Sequence, residues 1–177
     1  MLSPLTKKSV LLFIARSNFS DSEYITVKNH LAGRGYNVFV TSDEVSLCVS
    51  DKGRRVKSDI RLANINPGSF SAIILAGGSG ISDYRQNEVL FRKIRAFYEQ
   101  GRLIAAICAA PLLAGLAGVL SGRSAVCHNS VKVELTKYCS VLNDTGVHRD
   151  GNILTAADYT FAQLFAQKID TILNPGK

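Results

Sequence analysis

The fold turns on the stretch Leu103-Ile104-Ala105-Ala106-Ile107-Cys108-Ala109-Ala110-Pro111. Its first five residues make a short continuous apolar run, the pattern of a strand buried on both faces of a parallel sheet. Proline is at home in the first turn of a helix, so the stretch predicts a strand over Leu103–Ile107 and a helix from near Pro111. The uncharged segment runs on to Leu120, and its eighteen residues approach the length of a membrane span. Pro111 in its middle, Gly115, Gly118 and the many alanines argue against one long apolar helix. Two buried pieces are the better reading.

Outward from this stretch, apolar runs alternate with amphipathic ones, the signature of βαβ units. Strands are expected at Val10–Ile14, Asn37–Thr41, Ala72–Leu75, Ala125–Cys127 and Ile153–Thr155. A first helix takes in Ile25, Val27 and Leu31 and stops by Gly33 or Gly35, and a second runs from about Asn87 to Gln100. A closing helix over Tyr159–Leu173 puts Phe161, Leu164, Phe165, Ile169 and Ile172 on one side. Leu47–Val49 and Arg55–Lys57 flank Asp51-Lys52-Gly53 and predict a small β-hairpin decorating the sheet. The expected fold is α/β: a flavodoxin-like, doubly wound, mostly parallel sheet with helices on both faces.

The 177 residues suit one domain, and a composition of 46% hydrophobic and 20% charged residues excludes a disordered or collagen-like chain. Twenty-one basic against fourteen acidic residues give a net charge of +7, densest at Lys52, Arg54, Arg55 and Lys57. Without aromatic interleaving or a known motif, that charge reads as a solvated surface rather than a nucleic-acid site. The four cysteines, Cys48, Cys108, Cys127 and Cys139, form no CxxC pair and no metal-finger spacing. They fit a reducing compartment, and Met1–Lys8 has no apolar core of a secretion signal, so a cytoplasmic protein without a resident metal or cofactor is expected.

Cys108 follows its strand directly, with small residues on both sides and a helix start three residues on. A nucleophile elbow needs this: the strained, crowded turn tolerates only small neighbours, and the following helix aims its amides at the side chain. The pattern predicts a reactive thiol ionised near neutrality. Glu23, after the first strand's loop, is a candidate proton partner, and Gly78 and Ala109 can offer backbone N–H groups to an oxyanion. His128, twenty residues after the cysteine and at the end of an expected strand, is a possible acid or base. His30, in a helix, and His148, in a polar turn, are expected at the surface. Cys127 and His128 would point to opposite faces of a strand, which speaks against a shared metal.

The phrase from Ala105 to Pro111, preceded by Leu75-Ala76-Gly77-Gly78 and followed by Asp150-Gly151-Asn152-Ile153-Leu154-Thr155, resembles the ThiJ/PfpI superfamily near its DJ-1 branch, from about Lys8 to Leu173. The resemblance implies one class I glutamine amidotransferase-like domain and a Glu, here Glu23, that shares a proton with the elbow thiolate. His128 matches the histidine near that cysteine. The implied activity is a cofactor-independent glyoxalase or deglycase acting on small carbonyls such as methylglyoxal, in a homodimer. The alternative is a sensor or redox-regulated chaperone that works by oxidation of Cys108. Ala157-Asp158-Tyr159 stands where the branch carries Arg-Gly-Pro-Gly, Asn129 follows His128 where a Pro is usual, and Ala109 replaces the histidine of the peptidase branch. A peptidase is therefore disfavoured, as is an amidotransferase built on His148-Arg149-Asp150.

Overall fold

The computed structural model describes residues 8–176. The expectation drawn from Met1–Lys8 lies outside them apart from Lys8 itself. In chain order the elements are β1 (Ser9–Phe13), β2 (Ser17–Phe19), α1 (Asp21–Gly33), β3 (Asn37–Ser42), β4 (Leu47–Ser50), β5 (Arg55–Lys57), β6 (Ile60–Arg61), β7 (Ala72–Leu75), α2 (Glu88–Glu99) and β8 (Leu103–Ile107). There follow α3 (Pro111–Leu116), β9 (Ser124–Ala125), α4 (Asn129–Leu135), β10 (Ser140–Val141), β11 (Val147–Asp150), β12 (Ile153–Ala156) and α5 (Ala162–Leu173).

Seven strands form the main sheet in the order β11-β12-β8-β7-β1-β3-β6. Every pairing in it is parallel except that of β11 with β12. Each residue of β7, β8 and β12 is buried, so both faces of the sheet are covered. An apolar run with no polar alternation folds this way because no strand face is left for water. Helices α1 and α5 pack on one another and reach β3, β8 and β12, while α2 packs with α3 against β7 and β8. The uncharged stretch from Leu103 divides into β8 and α3 as expected, and no helix among the described residues is long and apolar enough to cross a membrane.

The hairpin β4–β5 is present, and β2 joins it in parallel to make a three-stranded sheet. The expected strand Ala125–Cys127 is corrected. Only Ser124–Ala125 is extended, and it pairs with β10 in a separate two-stranded sheet. Val126 then gives its N–H to Thr155 Oγ1, which turns the chain out of the ladder. His148 is also corrected: it lies in the edge strand β11, with Nε2 2.8 Å from Ser124 Oγ, and not in a turn. His30 is half-buried beside α5, not a surface residue. The closing helix is shorter than expected, since Tyr159–Phe161 is a 3-10 turn and Leu164 is exposed.

Parallel pairing aligns the carboxyl ends of β1, β7, β8 and β12 along one edge. Phe13 stands against Leu75, Leu75 against Ala106, and Ile107 against Ala156. The loops leaving this edge carry the residues singled out by the sequence.

Candidate active site

Cys108 is the first residue beyond β8 and adopts a φ of 63°, in the left-handed region that a side chain occupies only under strain. The surrounding backbone holds it there. Its N–H donates to Ala156 O at 2.9 Å and its carbonyl accepts from His128 N–H at 2.8 Å. The elbow thus stands between the ends of β12 and α4. The expected helix behind it is only six residues long, so the local amides matter more than any helix dipole. The backbone amides of Gly78 and Ala109 stand near the sulfur and favour its charged form.

Glu23 sits in the first turn of α1, whose cap Ser20 accepts the Glu23 N–H. A solvated carboxylate is a common occupant of such a position, but Glu23 is 1% exposed. Oε2 accepts the Gly77 N–H at 2.7 Å, which sets the carboxyl group beside Cys108, close enough for each to shift the other's titration. A glycine at 77 makes this approach possible. A Cβ there would stand 2.7 Å from Cys108 Cβ and 3.0 Å from Glu23 Oε2. Gly78, with φ 108°, likewise turns its bare Cα against the backbone of Asn18–Ser20.

Burial pushes Glu23 up to about 7, against the opposing hydrogen bonds from Gly77, Cys108 and Ser20 and with a small addition from Asp51. Burial, and then the negative charge of Glu23, push the Cys108 thiol up to about 12. The expectation of a thiol ionised near neutrality is not met: burial is the larger cause and the charge of Glu23 adds to it. Two groups that repel one another's charge in a dry site release their protons as a pair, and the first to leave belongs to both.

In front of the sulfur lies an open cleft of about 480 Å³. One wall is Gly78, Ser79, Ser82 and Arg85, from the loop after β7, and the other is Ala109 and Leu112 with His128, Ser130 and Val131. Glu23 is not among these residues and reaches the cleft only through the sulfur. His128 lines the cleft, a placement the sequence left open, and it does so as the N-cap of α4 and not as the end of a strand. Its Nδ1 accepts the Ser130 N–H at 3.2 Å and lies 2.8 Å from Ser130 Oγ. A neutral imidazole that accepts at Nδ1 carries its proton on Nε2.

Sequence reasoning missed Arg85 and the serines of the cleft. Arg85 follows the 3-10 turn Ser79–Tyr84 and pairs with Glu134 of α4 at 2.8 Å. No short motif flags a cation placed by such a turn. Among the described residues no group of three or more His, Cys, Asp or Glu side chains is placed to hold a metal ion.

The model of the DJ-1/PfpI family matches residues 8–171. Protein dj-1beta of Drosophila melanogaster is 32% identical over 166 residues, 92% of this chain and 87% of that protein. Deglycase PfpI of Pyrococcus furiosus is 30% identical over 142 residues, 80% of this chain and 86% of the relative. Glutathione-independent glyoxalase DJR-1.2 of Caenorhabditis elegans is 27% identical over 172 residues, 97% of this chain and 92% of that protein. Among solved structures, a ThiJ/PfpI domain protein from Brachyspira murdochii superposes with a TM-score of 0.92 at 21% identity, over 97% of this chain and 100% of that one.

Proposed function

The chain belongs to the DJ-1/PfpI family, and from that premise we propose that it is a cofactor-independent, cysteine-dependent glyoxalase or deglycase acting on small reactive carbonyls such as methylglyoxal. Relatives named deglycase and glyoxalase support the reaction class. The observation that carries it is the buried Glu23 carboxyl, held by the Gly77 N–H beside a strained Cys108 that lines an open cleft.

In this reading Glu23 takes the thiol proton, and the sulfur attacks the aldehyde carbon to give a hemithioacetal. Once Glu23 is neutral, its charge no longer opposes the thiolate and its O–H can donate to it. Gly78 and Ala109, whose amides lie near the sulfur, receive the developing oxyanion. Hydrogen then passes from the first carbon to the second, oxidising the first to a thioester and reducing the second to an alcohol. His128 Nε2–H supplies a proton to the second oxygen and recovers it from the water that then cleaves the thioester. Water cleaves the thioester, releasing a 2-hydroxy acid and restoring the thiol. Glycated adducts enter the same path after release of the carbonyl. The protein acts as a homodimer in the cytoplasm, needing neither nucleic acid nor membrane.

Cys108→Ala is expected to lower lactate formation from methylglyoxal at least a thousandfold while thermal unfolding stays near wild type. Retained turnover overturns the assignment.

One observation also favours a redox sensor and chaperone switch: Cys108 is partly exposed, with the Gly78 and Ala109 amides and the Glu23 carboxyl nearby as donors suited to a sulfinate. Mass spectrometry after mild peroxide decides between the thiols. Oxygen on Cys127 or Cys139 but not on Cys108 excludes the sensor.

A further inference from the structure

The cleft is larger than a three-carbon aldehyde needs. At about 480 Å³ it lies in the range that holds drug-sized ligands, and methylglyoxal bound at the sulfur would fill one end. The rest of its lining is uneven in charge: Arg85 is the single guanidinium or ammonium among the lining residues, and no carboxylate is among them.

The placement of Arg85 is built from both walls. The 3-10 turn that begins at Ser79, next to the oxyanion amide of Gly78, ends at Arg85. From the other wall, Glu134 takes one amino nitrogen of the guanidinium at 2.8 Å, and α4, which carries Glu134, is capped by His128. Among the described residues Glu134 is the only ion-pair partner of Arg85. A guanidinium has five N–H donors in a rigid fork, so one pairing fixes its plane and leaves donors free. With the side chain 43% exposed, those donors can meet a ligand in the cleft.

We propose that Arg85 makes the cleft selective for 2-oxoaldehydes that carry an anionic tail, a carboxylate or a phosphate, with the tail on the guanidinium while the aldehyde meets Cys108. The proposal rests on the carbonyl chemistry above and narrows its substrate class. The bonds made and broken are those already given; the tail takes no part in them. Bidentate contact with a carboxylate or phosphate is what the guanidinium fork offers beyond a point charge.

The test compares kcat/KM for methylglyoxal, 4,5-dioxopentanoate and hydroxypyruvaldehyde phosphate. The wild type is expected to prefer one of the two anionic aldehydes over methylglyoxal by about tenfold, chiefly through KM, and the preferred one identifies the tail. In Arg85→Met that preference falls about tenfold, and in Arg85→Lys it falls by less. Arg55→Met, which removes the same charge from the distant hairpin, keeps it. No preference in the wild type, or equal losses on all three substrates in Arg85→Met, overturns the proposal and leaves Arg85 as a tie to Glu134.

A second measurement separates this failure from failure of the carbonyl chemistry itself. Alkylation of Cys108 by anionic iodoacetate and by neutral iodoacetamide needs no turnover. The iodoacetate-to-iodoacetamide rate ratio is expected to drop about tenfold in Arg85→Met. An unchanged ratio counts against the role of Arg85 even where methylglyoxal is consumed.

Discussion

Two buried carboxyl groups, Glu23 and Asp170, show how the same chemistry is set to opposite uses. Asp170 lies on α5 and is 8% exposed. Burial alone would raise its pKa, but hydrogen bonds from Asn174, from Arg34 and from the Tyr36 hydroxyl together outweigh it and hold the group below the usual carboxylate value. It is a charged knot that ties α5 to the end of α1. Glu23 is buried more deeply and has no cation beside it among the described residues. Its neighbours are the Gly77 amide, the Ser20 hydroxyl and a thiol, none of them a cation, and its pKa rises. A carboxyl ringed by donors is a fastener, whereas one left without a counter-ion beside a sulfur can gain and lose a proton at working pH.

The strongest way to break the contrast is at Gly77. Gly77→Ala puts a methyl group 2.7 Å from Cys108 Cβ and 2.8 Å from Ile107 O, forcing the elbow and Glu23 apart. A loss above about 3 kcal/mol in denaturant unfolding is expected, together with loss of turnover. A variant as stable as wild type would show that the packing here is looser than described.

Next in size is the pH dependence of stability. Glu23 has a folded pKa near 7 against an ordinary value of 4.5, so it favours the folded state most fully below pH 4.5. That contribution fades as the pH rises through 7, by roughly 3 kcal/mol at most. Glu23→Gln should flatten unfolding free energy between pH 4.5 and 7. In the same variant, alkylation of Cys108 should follow one titration step, lying between the two steps of the coupled wild-type pair. Two unchanged steps would show that Glu23 and Cys108 do not share a proton.

The smallest effect belongs to the other carboxyl. Asp170 has the opposite slope: its lowered pKa stabilises the fold above about pH 4, and the benefit is lost as the pH falls. Asp170→Asn is expected to cost about 2 kcal/mol near pH 7, since Arg34 is half-exposed and its share is screened. The Cys108 alkylation profile should not move. A shift there would mean that the knot and the elbow communicate through α1.

The strands at Val10, Asn37, Ala72, Leu103 and Ile153 were legible because each is an apolar run that a doubly covered parallel sheet requires. Cys108 was legible for the related reason that small residues crowd it on both sides. Ser17–Phe19, Ile60–Arg61 and Val147–Asp150 were not, since short and partly polar edge strands take their form from a neighbour's hydrogen bonds and not from their own pattern. Ala125–Cys127 misled because three apolar residues look alike in a ladder and in a loop packed on Thr155. Glu23 showed its place after β1 in the sequence but not its burial, which depends on Gly77 arriving from a strand fifty residues away. Arg85 showed nothing, because its position is set by a turn and by an ion pair to another element.

The bonds that pin both backbone groups of Cys108 set how that residue moves. With its N–H held by β12 and its carbonyl by the cap of α4, the elbow can relax only if β12, second in the seven-stranded sheet, lets go. Its amide should therefore exchange with deuterium about as slowly as those inside β7, and far more slowly than the tip of the hairpin at Gly53. A sulfur mounted so rigidly keeps one address: whatever becomes attached to it, adduct or oxygen, must accommodate itself to the protein.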